Sequence, residues 1–112
     1  DPHGRRQVMK AVKALGEQFG ITVVLITHYM DEAAQCDRVV VIDDGQILLD
    51  GAPKEVFSHV QVLKDVGLDV PQATQLVFEL RKAGYNIPQD IISEDECIAA
   101  IEKLLEENHV HH

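Results

Sequence analysis

Apolar positions recur along this chain with two different periods, and the places where one gives way to the other mark its elements. Val8, Val12, Leu15 and Phe19 return at three- and four-residue spacing, which predicts a helix over residues 1–19. Asp1 suits the N-cap, where a carboxylate accepts backbone N–H groups, and Pro2 suits the first helical position, where no N–H is needed. Gly20 is a natural stop. Residues 21–27, "ITVVLIT", are apolar and β-branched without alternation, which predicts a strand covered on both faces, as in a parallel sheet. A short helix over 30–35 and a second strand of the same kind over 38–43, "RVVVID", come next. Helix, strand, helix and strand in this order predict a doubly wound α/β layer.

Asp44-Gly45 is a hairpin signal, because a type I′ turn needs positive φ at both central positions. It folds 38–43 back onto 46–50. Gly51-Ala52-Pro53 ends that strand, and Pro53 opens a short helix through Phe57. From Ser58 onward the period is helical only. "VQVLKDVG" ends at Gly67, and "PQATQLVFELRKAG" sets Ala73, Leu76, Val77 and Leu80 on one face and ends at Gly84. Ser93 and Glu96 form a capping box ahead of Cys97, Ile98, Ile101, Leu104 and Leu105. The pattern thus divides the chain into residues 1–57 and a helical extension, 58–112, whose packed part is expected over 60–108.

Composition narrows what such a chain can do. Its 112 residues are about one domain, and 46% hydrophobic content allows a core that is aliphatic, since only 4% is aromatic and Trp is absent. A formal net charge of −9 argues against nucleic acid or an anionic membrane surface as a direct partner. No apolar run reaches the roughly 20 residues needed to cross a bilayer. Cys36 and Cys97, far apart in sequence, fit reduced cysteines in a cytoplasmic protein better than a disulfide framework. The opening "DPHGRRQ" lacks the apolar stretch and cleavage site of a signal peptide. Beginning on Asp-Pro and running straight into a helix, it reads as a piece cut from something longer.

The order "ITVVLITHYMDEAAQCDRVVVIDDGQILLDGAPKEVF" closely resembles the closing segment of ABC-transporter ATPase domains. There a strand ends in Thr-His, a helix carrying Asp-Glu-Ala comes after it, and a strand–Asp-Gly–strand hairpin leads to G-x-P-x-E-V-F. The opening "DPHGRRQVMKAVKAL" resembles the stretch just after the Walker B segment, with Asp1 at the D-loop aspartate, so the likeness runs through residues 1–57. The tail, "GLDVPQATQLVFELRKAGYNIP", looks like the C-terminal extension of ATPases in energy-coupling-factor transporters, which import vitamins, cobalt or nickel. The resemblance implies the C-terminal fragment of a P-loop ABC ATPase domain: parallel strands plus a β-hairpin, followed by a small helical subdomain. It implies a peripheral protein on the cytoplasmic face of the membrane that uses ATP and Mg2+ in its full-length form. A second ATPase subunit and a transmembrane coupling subunit are its implied partners, with the extension packing against its counterpart.

Residue by residue the resemblance places His28 at the switch-histidine position, as a catalytic and nucleotide-contacting residue facing the γ-phosphate and the attacking water. It places Asp1 across the ATPase dimer, against the opposite protomer. An imidazole at the carboxyl end of a parallel strand also lies where ligands of α/β sheets collect, and a positioned donor there stabilises charge on a transferring phosphoryl group. The bland alternatives are a polar plug at the rim of a core for His28 and a plain helix cap for Asp1. Asp31 and Glu32 suit a first helical turn whatever the function. The seven glycines include no G-x-x-x-x-G-K-[ST], and no signature or Walker B segment is present. The fragment alone is therefore expected to bind no ATP and no metal and to be inactive.

Other signals are weaker. "VVVIDD" resembles the acidic pocket of a receiver domain, but a receiver needs a helix after its aspartates, and here Gly45 begins a hairpin. His109, His111 and His112 form a terminal tract without the fixed geometry a metal site needs. Cys36 reads as a small buried hydrophobe. A strand such as 21–27 with an uncovered side invites edge pairing, so self-association of the fragment is expected.

Overall fold

The computed structural model describes residues 2–110, so Asp1, His111 and His112 lie outside the described residues. Six helices and one hairpin run in the order α1 (Pro2–Phe19), α2 (Met30–Ala33), β1 (Val39–Asp43), β2 (Gln46–Gly51), α3 (Pro53–Phe57), α4 (Val60–Asp65), α5 (Gln72–Lys82) and α6 (Glu94–Val110). Among the described residues no helix is long and apolar enough to cross a membrane.

The hairpin forms for the local reason its sequence states. Asp44 and Gly45 stand at φ 51° and 74°, the paired positive values of a type I′ turn. The strands pair antiparallel from Val39↔Gly51 to Asp43↔Gln46, and a bulge beside Val41 leaves Leu48 without an opposite residue. Arg38 clasps Asp50 across the strands with two bonds of 2.8 and 2.6 Å.

Two expectations about strands are corrected here. Residues 21–27 form no strand, and the described chain holds a single two-stranded antiparallel sheet in place of parallel strands. A strand exists only when a second backbone takes up its N–H and C=O groups, and among the described residues no second backbone pairs with this run. The other correction concerns β1, which is covered on one face only. Val39 and Val41 turn into the core while Val40 and Ile42 are exposed, the period of two typical of an antiparallel ribbon with one wet side.

The core has two centres. Val39 and Val41 of β1 meet Val56 and Phe57 of α3, Val60 and Leu63 of α4, and Val70, with Phe78 and Ile92 packed against them. This cluster runs from the hairpin into the helical extension without a break. The second cluster joins α5 to α6 through Ala73, Val77, Ile87, Ile91 and Cys97. Buried Thr74 is tied to the second cluster, its hydroxyl donating to the Ile91 carbonyl at 2.8 Å.

Helix ends match their signals. Gly20, Gly67 and Gly84 all stand at positive φ, and the Ser93 hydroxyl accepts the Glu96 N–H at 3.2 Å. The Glu96 carboxylate completes the capping box one residue early, taking the N–H of Ile92 in place of that of Ser93. Predicted apolar faces are less well covered. Val8, Leu15 and Phe19 are exposed on α1, where Met9 is the buried residue, and Leu76, Ile98 and Leu105 are exposed on α5 and α6.

Candidate functional site

The apolar run ends at Thr27, and the backbone reaches α2 through a bend at His28. The Thr27 hydroxyl makes that bend. It accepts the N–H of Tyr29, two residues on, at 3.0 Å, and donates to a Glu32 carboxylate oxygen at 2.7 Å. His28 is thereby turned outward and is exposed, with its ring against that of Tyr29 at 4.4 Å between centroids. The imidazole meets solvent, as do most side chains of the apolar run before it.

Glu32 ties this bend to the first helix. Arg5 of α1 reaches it with both prongs of its guanidinium, Nε to Oε2 and Nη2 to Oε1, each at 2.8 Å. The same guanidinium lies over the Tyr29 ring at 3.9 Å. The Arg5 bonds, and secondly the Thr27 bond, hold the Glu32 carboxyl below its ordinary range, while Glu32 raises Arg5. An ionised carboxylate only accepts, so three donors from two neighbours suit it.

Beyond this cluster a cleft of about 740 Å3 opens between α1, α2 and the start of α6, walled by Met9, Tyr29, Met30, Ile92 and Glu96 among others. His28 is not among its lining residues, so the cleft lies beside the histidine. At the far side Lys54 of α3 pairs with Glu96 and donates to the Asp90 carbonyl at 3.2 Å, fastening the hairpin unit to the extension. Its ammonium is the main cause of a lowered Glu96 carboxyl, with the Ile92 and Ser93 bonds adding to it.

These shifts have a definite pH sign. A carboxyl lowered by folding stabilises the fold above its ordinary value, 4.5 for Glu32, and that contribution fades as pH falls through the folded value. The melting-temperature gap between this chain and its Glu32→Gln variant is therefore expected to be full at neutral pH and to close below about pH 4.5. Thermal melts from pH 7 to 3 measure it. A gap that widens in acid contradicts the assignment.

Of the residues singled out by sequence, His28 stands at a bend after an apolar run that forms no strand, in place of the end of a buried strand, and Asp1 is outside the described residues. Glu32 does more than favour a helix N-terminus, because it is the hub of an ion pair. Arg5, Thr27 and Tyr29 were not legible as site residues. The Thr-x-Tyr spacing is a local signal for the bend, but Arg5 and Glu32 are 27 positions apart, and one sequence carries no mark of that pairing. Cys36 is half-buried, its thiol donating to the Glu32 carbonyl at 3.6 Å, whereas Cys97 is buried. Among the described residues no three His, Cys, Asp or Glu side chains gather as a metal site.

Such a chain, with an outward histidine behind an apolar run and an Asp-Gly hairpin, has transporter ATP-binding proteins as its relatives. More narrowly, they are energy-coupling factor transporter ATP-binding proteins. It is 50% identical over 101 residues to EcfA1 of Clostridium novyi, covering 90% of this chain and 36% of that protein. Against EcfA1 of Caldanaerobacter subterraneus the identity is 54% over the same shares. Against EcfA2 of Clostridium perfringens it is 37% over 109 residues, 96% of this chain and 38% of that protein. No family model matches. The chain thus belongs with the energy-coupling factor ATP-binding proteins and spans about a third of the length of the curated relatives it matches.

Proposed function

We propose that this chain is the C-terminal part of the ATP-hydrolysing subunit of an energy-coupling factor import system, carrying cobalt, nickel or a vitamin. Residues 1–57 close its nucleotide-binding domain and 58–112 form the helical extension. The observation that carries the reading is half-identity, over nine-tenths of the chain, to proteins named as ATP-binding subunits of such systems. The outward imidazole of His28 supports it, as a donor free to meet a phosphate oxygen and the attacking water. ATP supplies the phosphoryl group whose charge such a donor stabilises.

Among the described residues, His28 is the one assigned to that nucleotide in this reading. The described residues do not fit Mg2+, for which they gather no ligands. The phosphate cradle, signature and metal ligands belong to the rest of the longer protein, and Asp1 contributes across the dimer. The partners are a second ATPase subunit and a transmembrane coupling subunit, with the whole held on the cytoplasmic face of the membrane. That second subunit is an identical or a paralogous copy.

A second reading, that the chain acts as a non-catalytic dimerisation or regulatory module, is favoured by Ile98 and Leu105, which lie exposed at helical spacing on α6. Calorimetric titration with Mg-ATP separates the two. The longer protein is expected to bind ATP with micromolar affinity and the 112-residue chain not measurably, while light scattering on the same samples reports self-association. Failure of the longer protein to bind ATP overturns the first reading, and a clean monomer at high concentration overturns the second.

A further inference from the structure

We propose that Arg5, Thr27, Tyr29 and Glu32 form a clamp that aims the His28 imidazole, with Arg5 and Glu32 acting as positioning residues from outside the reacting groups. The inference rests on the reading of His28 as a phosphate-facing donor. His28 itself is exposed, with its ring against that of Tyr29 at 4.4 Å. Its direction therefore depends on how firmly the residues on either side are held.

Both sides are held by the same carboxylate. Before His28, the Thr27 hydroxyl donates a hydrogen bond to Glu32 and accepts one from the Tyr29 N–H, which fixes the bend. After His28, the Tyr29 ring lies under the Arg5 guanidinium, and that guanidinium is locked to Glu32 by two parallel bonds. The planar fork of Arg5 does two tasks that a lysine ammonium cannot combine, bidentate pairing and stacking on a ring. The Glu32 side chain is 12% exposed and that of Arg5 43%, so the pair is open to water at its Arg5 end.

The clamp also spans elements. Arg5 lies on α1, whereas Thr27 and Glu32 sit on either side of the bend, so a shift of α1 is transmitted to the histidine through one ion pair.

The test uses Glu32→Gln, Thr27→Val, Thr27→Ser and Arg5→Lys in the longer ATP-binding protein, with far-UV circular dichroism to check folding. The readout independent of turnover is the set of proton–proton Overhauser contacts between the His28 and Tyr29 rings in nucleotide-free protein. These contacts are expected to weaken in Glu32→Gln and Thr27→Val and to persist in Thr27→Ser, which keeps the hydroxyl. ATP turnover in Glu32→Gln is expected to fall roughly tenfold with KM nearly unchanged, the signature of a misplaced group in place of lost binding. Arg5→Lys, which cannot combine the two bonds with stacking on Tyr29, is expected to lower turnover in the same way. In a His28→Ala background the same changes should add nothing. Unchanged ring contacts in both Glu32→Gln and Thr27→Val overturn the clamp, as does full turnover in Glu32→Gln beside a dead His28→Ala. If His28→Ala itself keeps full turnover, the phosphate-facing reading fails, and the ring contacts alone decide whether the clamp exists.

Discussion

Replacing His28 by alanine in the longer ATP-binding protein is expected to slow ATP turnover by roughly 10²–10³-fold, the cost of removing one preorganised donor from a developing charge. In free energy that is about 2.7–4 kcal/mol of transition-state stabilisation. Phosphoryl transfer leaves little covalent work to the protein, so catalysis is mostly positioning and charge stabilisation, and a single well-aimed donor weighs heavily. The exposed ring is free to make that contact, since its neighbours Thr27 and Tyr29, and not the imidazole, take up the hydrogen bonds of the bend. KM for ATP should stay within about twofold, because a donor that acts on charge appearing in the transition state contributes little to ground-state binding. His28→Gln, which keeps an N–H donor on a shorter reach, should recover part of the loss. Steady-state hydrolysis at saturating and limiting ATP separates the two parameters. If KM rises and kcat holds, His28 binds nucleotide without assisting its cleavage.

Legibility in the sequence ended where structure stopped depending on near neighbours in the chain. The Asp44-Gly45 turn demands positive φ within two residues, and the structure supplies it. Pro53 opens α3, Gly84 comes just past the end of α5, and Ser93 caps Glu96, all inside one helical turn. The apolar character of 21–27 was legible too, but strandedness was not, because pairing is a property of two segments and among the described residues none pairs with this run. Ile26 is 95% exposed, which records how much of that run lacks a neighbour. The same holds for α1, whose stripe announces a face to be covered without saying by what. His28 was singled out by the order of motifs around it, and the structure records it as an exposed residue at the bend. The ion pair that holds its surroundings was not legible, since complementarity between Arg5 and Glu32 arises only after α1 and α2 have met.

Phe57→Ala is expected to destabilise the chain by about 3–5 kcal/mol, against about 0.5 kcal/mol or less for Phe19→Ala. The two deletions remove the same atoms, so their difference isolates burial. Phe57 is 1% exposed, at the end of α3 where β1, α4 and α5 converge, and its loss leaves a void that the valines around it cannot fill without moving strand against helix. Phe19 is 69% exposed at the last turn of α1, where truncation opens no cavity. For a domain whose total stability is typically 5–15 kcal/mol, the first change is enough to unfold a large fraction of molecules near body temperature. It also removes the link between hairpin and extension, because the cluster around Phe57 is what joins Val39 and Val41 to Val70, Phe78 and Ile92. Phe57→Leu, which keeps much of the apolar volume, should cost nearer 1 kcal/mol. Urea unfolding followed by far-UV circular dichroism gives all three values. Equal losses for Phe57→Ala and Phe19→Ala would mean that α1 is packed as tightly as the hairpin unit in solution, with Val8 and Leu15 covered by a partner such as a second copy of the chain.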